Sequence, residues 1–141
     1  MLAKRNEMNK RGLFEKLTAS RTVHAKIPVL VLIACNFYLS SRSTLPAVPS
    51  FRFADKAAHF AYFFAVAAAW ALWFSRESWK AHRTRNIFFC AALASACGVL
   101  DEFHQYFVPG RNCDVFDWIA DTLGALPGSI AGYAAARRTR V

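Results

Sequence analysis

The stretch DEFHQYFVPGRNCDVFDWIAD, residues 101 to 121, carries five carboxylates, a histidine, a glutamine and an arginine between two strongly apolar runs. Apolar residues throughout the chain fall in blocks rather than in amphipathic periods, and blocks point to a bilayer. With 141 residues, 55% hydrophobic and 19% charged, the chain is one domain at most. The blocks are 27–39, 57–74, 87–100 continuing weakly to 107, and 118–136. A helix that crosses the hydrocarbon needs about 20 residues at about 1.5 Å each. The fourth block is long enough and the second nearly so. The third reaches full length only if Asp101, Glu102 and Gln105 lie in the membrane or at its edge. That placement is costly unless these groups face protein or water.

The net charge of +9 raises nucleic acid as a partner, but the basic residues form clusters separated by the apolar blocks, which fits membrane topology instead. Seven Lys and Arg precede the first block, three follow it, four separate the second and third, one (Arg111) lies before the fourth, and three end the chain. Alternate segments hold fourteen against four. Both termini are therefore expected in the cytoplasm. The expected fold is an all-α membrane protein, a bundle of four transmembrane helices with approximate spans 27–41, 56–75, 86–107 and 117–136. These lie in one domain, 27–136, flanked by basic cytoplasmic tails, 1–26 and 137–141. The expected location is the bacterial cytoplasmic (inner) membrane, multi-pass, with the bilayer as partner and no nucleic acid.

Cys35, Cys90 and Cys97 fall inside apolar blocks, where Cys behaves as a small hydrophobe, and only Cys113 is expected on the oxidising side. Leu32-Ile33-Ala34-Cys35 has the small-residue-then-Cys look of a lipoprotein cleavage site. The long charged region ahead of it and the short apolar run before Cys35 argue against processing there. Residues 40–50, SSRSTLPAVPS, read as a Ser/Pro loop outside the membrane.

In this topology Asp55, Asp101, Glu102, Asp114, Asp117 and Asp121 all lie at outer helix ends, whereas only Glu7, Glu15 and Glu77 are cytoplasmic. The positive-inside rule does not require that acidic bias. Helical spacing sharpens it, since residues three, four and seven apart share a face. Asp55, His59, Tyr62 and Val66 form one stripe. Ala91, Ser95, Gly98, Glu102 and Gln105 form a second, and Asp117, Asp121, Gly124, Gly128 and Gly132 a third. Small residues at this spacing let helix backbones approach in lipid. The stripes are therefore the expected interior seam, and the carboxylates continue it outward to line an outward-facing polar cleft. His104 projects nearly opposite Glu102, and Asp101 lies at the side, so both rank lower.

Each piece also has a plainer reading. Asp55 and Asp117 serve equally as first-turn residues favoured by the helix dipole, His59 as a satisfied interfacial polar group, and Tyr62 as a belt aromatic. Val108-Pro109-Gly110 reads as a turn presenting Arg111, which either pairs internally with carboxylates or grips a phosphate or carboxylate.

Asp55-Lys56-xx-His59-xx-Tyr62, then Asp101-Glu102-xx-Gln105-xxx-Pro109-Gly110-Arg111, then Asp117-xxx-Asp121-xx-Gly124-xxx-Gly128, resembles the VanZ-like family of small bacterial integral membrane proteins. The resemblance covers roughly residues 38 to 133 and includes Ser40 and Ser41. It implies a four-helix membrane protein of the cell envelope. It also implies a link to antibiotic resistance, since the founding members are associated with low-level resistance to the glycopeptide teicoplanin. Many members carry Asn where this chain has Asp121, and both side chains can hydrogen-bond or ligate a cation.

Two functions from different classes follow. The first is a protein that acts on or binds an envelope lipid or its head group. Glu102 would be the acid/base and His59 its proton partner, with Asp117 completing the catalytic set. Arg111 would clamp an anionic head group, and Asp55, Lys56, Tyr62 and Gln105 would line its site. The second is a non-catalytic module that binds a partner membrane protein, or a divalent cation on Asp117, Asp121 and Glu102. Such oxygens suit a hard ion such as Mg²⁺ or Ca²⁺, and a zinc site would want more His or Cys. No activated Ser or Cys motif is visible around Ser41 or Cys113. A proton or ion carrier ranks last, because the lower seam of Ala91, Ser95, Gly98 and Gly128 is small and uncharged.

Overall fold

The structure, a computed structural model, describes residues 23–43 and 53–138. The expected tail up to residue 22, most of the Ser/Pro loop and residues 139–141 lie outside the described residues. These form four helices: α1, described over Val23–Ser40, α2 Ala54–Ala71, α3 Arg76–Gln105 and α4 Val115–Arg138. Two of them, α1 and α3, are long and apolar enough to cross a membrane. At 30 residues α3 is about 45 Å long, more than the roughly 30 Å of a hydrocarbon core. It begins at Arg76, well before the apolar block at 87, because Ser75 caps a polar first turn by accepting from Ser78 N–H at 3.2 Å. The backbone leaves helical geometry at His82. Asn86 spans that kink by donating to the Ser78 carbonyl and hydroxyl at 3.1 and 2.9 Å.

The bundle is polar within and apolar without. Asp101, Glu102, Gln105, Asp117, Asp121 and Ser129 are buried, while Leu100, Phe103, Phe116 and Leu123 are more than 60% exposed. Hydrocarbon, rather than water, suits that exterior. The buried apolar residues Val29, Phe63, Val66, Ala67, Ala94 and Ala125 come from all four helices and form the middle of the bundle.

The glycines of α4 set the packing against α2. A methyl group added at Gly124, Gly128 or Gly132 would collide with the carbonyl oxygen of Phe60, Phe64 or Ala68 respectively. Each glycine therefore admits an α2 backbone carbonyl directly, an approach small residues permit in lipid. Both partner series rise together in steps of four, so α2 and α4 run parallel. Their amino ends lie at one end of the bundle, together with the end of α3 and the carboxylates. At the opposite end Lys26 sits over the Trp73 ring, Trp79 meets Tyr133, and Arg137 covers Tyr133. The bundle thus separates its charges, acidic at one end and basic at the other.

Gly128→Leu forces apart two helices in backbone contact. Overpacking of this kind costs about 1–3 kcal/mol, and more where no side chain can yield. The expected outcome is a thermal midpoint in detergent lowered by at least about 3 °C relative to wild type, with Leu126→Ala on the exposed face of α4 as the near-neutral comparison.

Candidate functional site

Because α2 and α4 run parallel, their first turns stand side by side and the positive ends of both helix dipoles point the same way. Asp55 in α2 and Asp117 in α4 occupy those first turns. Lys56 fills the space between them. Its Nζ lies 3.0 Å from Asp55, 2.5 Å from Asp114 and 2.7 Å from Asp117.

Asp114 joins three helices. Its Oδ1 accepts from Phe116 N–H at 2.9 Å and caps α4. Its Oδ2 accepts from Lys56 of α2, and its own N–H donates to Glu102 Oε2 of α3 at 2.8 Å. Hydrogen bonding to the Lys56 ammonium holds the carboxyls of both Asp55 and Asp114 below the usual carboxylate range.

Deeper in the bundle, His59 Nδ1 stands 2.9 Å from Asp121 Oδ1 while its Nε2 lies 3.9 Å from Asp117 Oδ2. Asp121 is wholly buried and Glu102 is 5% exposed. His59, Glu102 and Asp121 place one ligand atom each within 4.8 Å of one another. Spacing along three separate helices thus converges on a single point.

A second network covers the α1 side. Asp101 accepts from Asn36 at 2.6 Å, from Ser40, and from Gln105 Nε2 at 2.7 Å. Gln105 passes the chain on, its Oε1 accepting from Arg111 Nε and Nη2 at 3.1 and 2.7 Å. Helical spacing ranked Asp101 and His104 below Glu102, yet Asp101 is buried and central here. The reason is α1, which packs on the flank of α3 that spacing had left facing away from the seam. The same packing sets His104 Nε2 3.0 Å from Ser41 Oγ and its ring against Phe37. Asn36 was not singled out in the sequence, and Ser40 entered by name only through the family resemblance. Their only local signal there is a polar pair one turn apart at the outer end of an apolar block.

These side chains surround a cleft of about 420 Å³, lined among others by Asp55, Lys56, His59, Asp101, Gln105 and Arg111. Asp117 also lines it, whereas Glu102 and Asp121 lie behind the lining. Tyr62 borders the cleft, but its hydroxyl donates to the Leu32 carbonyl at 2.6 Å and ties α2 to α1. Arg111 forms no salt bridge with any described carboxylate and spends two donors on Gln105, so part of its five-donor fork stays available. Desolvation first, then the Glu102 and Asp114 carboxylates, push the exposed Cys113 thiol above its ordinary value.

The Lys56 cluster has a defined acid response. The folded carboxyls of Asp55 and Asp114 are depressed below the ordinary Asp value of about 3.9. Their contribution is therefore full above that value and is lost as pH falls through the folded values. Thermal midpoints of the purified protein should be flat from about pH 7 to 5 and fall below about pH 4. Lys56→Met should lower the midpoint at neutral pH and flatten the acid limb, and an acid limb unchanged by Lys56→Met would show that other groups set it.

The family model described as VanZ/LLP1 matches residues 7–136, beyond the span on which the sequence motifs rest. Comparisons with curated proteins and with solved structures return no match. The family match and the two apolar helices together mark a membrane protein. With all but the extremities of its sequence matched, the chain belongs to the VanZ/LLP1 family.

Proposed function

We propose that the protein crosses the bacterial cytoplasmic membrane four times, with both termini inside, and receives an envelope lipid in its cleft from the outer leaflet. The observation that carries this reading is a second, apolar crevice beside the cleft. It measures about 290 Å³ and is lined by Ile33, Phe37, Phe63, Val66, Cys97 and Leu100. Asn36, Phe63 and Asp101 border both cavities. A polar cleft that shares a wall with an apolar crevice fits an amphiphile, with the head group against Arg111 and Gln105 and the chain between α1 and α3.

Charge segregation supports the orientation. The end that carries Arg83, Arg85, Arg137 and Arg138 is the inner one by the excess of Lys and Arg, which leaves the carboxylate end outside. On this reading His59, which lines the cleft, exchanges a proton with a bound head group, and Glu102 acts from behind the lining, each held by a partner that fixes its orientation. Asp117 borders the cleft beside His59, and Arg111 offers its remaining N–H groups to a phosphate. Lys56, satisfied by three carboxylates, organises the rim instead of gripping a ligand. The founding members' association with teicoplanin resistance accords with a target in the envelope.

Thermal stabilisation in detergent tests the reading. A polyprenyl phosphate at about 100 times its dissociation constant should raise the wild-type midpoint by about 5 °C or more. Arg111→Ala should remove most of that shift while leaving the ligand-free midpoint close to wild type. Equal shifts for Arg111→Ala and wild type, or none with any anionic or neutral envelope lipid, would count against a head-group site in the cleft.

A further inference from the structure

Among the described residues, six carboxylates gather at the outer end of the bundle: Asp55, Asp101, Glu102, Asp114, Asp117 and Asp121. The fixed cations among them are Lys56 and Arg111, and both are engaged elsewhere. Lys56 serves Asp55, Asp114 and Asp117, and Arg111 is turned to Gln105. Glu102 and Asp121 are left to share the imidazole of His59. Burying a carboxylate without a counter-charge costs several kcal/mol even after relaxation, so this pair needs positive charge from some other source.

Each of the two also has one buried oxygen without a hydrogen-bond partner. Glu102 Oε2 accepts the Asp114 amide, but Oε1 has no partner. Asp121 Oδ1 faces His59, but Oδ2 has no partner although the side chain is fully buried. Gly98 stands opposite that oxygen, where an added Cβ would come within 2.6 Å of it. We propose that His59, Glu102 and Asp121 bind a divalent transition-metal ion, of the zinc or manganese class, behind the lining of the cleft.

The donor set argues for that class. Two carboxylate oxygens alone would suit Mg²⁺, Ca²⁺ or Mn²⁺, and the added imidazole nitrogen shifts preference toward Zn²⁺. Donors that share an ion at about 2.1 Å stand about 3 to 4 Å apart, so atoms now within 4.8 Å close slightly on loading. With Nδ1 on the ion, His59 would turn Nε2–H toward Asp117 Oδ2, now 3.9 Å away. That carboxylate would then orient the ring from outside the coordination sphere. Lys56, at 2.7 Å from the other oxygen of Asp117, holds it in place. His59 also lines the cleft, which gives the ion a route in. The site stands on this geometry alone and holds whether or not a lipid occupies the cleft.

Without metal the same residues would keep only the His59–Asp121 contact, and metal uptake separates the two arrangements. The full-length protein in detergent is stripped with EDTA, dialysed in parallel against micromolar Zn²⁺, Mn²⁺, Mg²⁺ or Ca²⁺ and assayed by mass spectrometry of the metal, with no lipid added. Wild type should retain about one ion per chain and gain thermal stability. Glu102→Gln and His59→Gln, each checked for monodisperse elution, should retain at least about tenfold less. Cys113→Ser, which removes the exposed thiol that could hold zinc adventitiously, should retain as much as wild type. No uptake by folded wild type overturns the proposal. So does uptake unchanged in both ligand variants, uptake lost in Cys113→Ser, or uptake of Mg²⁺ and Ca²⁺ alone. Because the assay contains no lipid, a failed lipid shift leaves its result intact.

Discussion

The architecture depends on backbone contact between α2 and α4. Three glycines at four-residue spacing remove every side chain that would keep the helices apart, and carbonyls of α2 occupy the space. Parallel packing this close aligns two amino ends, which is the sole reason that Lys56, four residues or fewer from Asp55 and His59, reaches Asp114 and Asp117 of a helix far along the chain. Favourable dipole ends then draw carboxylates to the same place. A soluble protein would expose such a cluster to water. Here Asp101, Glu102, Asp117 and Asp121 are covered by helices whose outer faces are apolar, so whatever satisfies them must lie inside the bundle.

That requirement explains α1. It adds little buried apolar surface of its own, with Val29 its one fully buried hydrophobic residue among those described. Its polar contacts are more telling: Asn36 and Ser40 satisfy Asp101, and the Leu32 carbonyl accepts the Tyr62 hydroxyl. Between α1 and α3 an apolar crevice remains, and it shares Asn36, Phe63 and Asp101 with the polar cleft. The feature that supports a lipid ligand and the feature that satisfies Asp101 thus have one origin.

The seam was legible in the sequence because helical spacing is a local property. Gly124, Gly128 and Gly132 stand on one face of α4 with Asp117 and Asp121 wherever that helix packs. What spacing could not say is which neighbour covers a flank, so Asp101 and His104 ranked low until α1 was in place. By apolar block length the sequence favoured the fourth span and nearly the second, whereas the helices long and apolar enough to cross a membrane are α1 and α3. The difference lies in where the helices begin and end: α1 and α3 extend beyond their apolar blocks, while α2 and α4 include Asp55, Lys56, His59, Asp117 and Asp121 in their first two turns. Lys56 counted in the sequence as topology and as a ligand-binding residue. Its role as the tie among three carboxylates depends on the parallel packing and has no local signature.

Cys113 is placed to report the side of the membrane on which the carboxylates open. Its thiol is exposed next to the cleft, whereas Cys90 is buried and Cys35 lies midway along the apolar α1. Spheroplasts expressing the wild-type chain would be treated with a membrane-impermeant maleimide before and after permeabilisation, beside Cys113→Ser. Labelling of intact spheroplasts that disappears in Cys113→Ser is the predicted result. Labelling at Cys113 only after permeabilisation would turn the bundle over and place the cleft in the cytoplasm, contradicting the account.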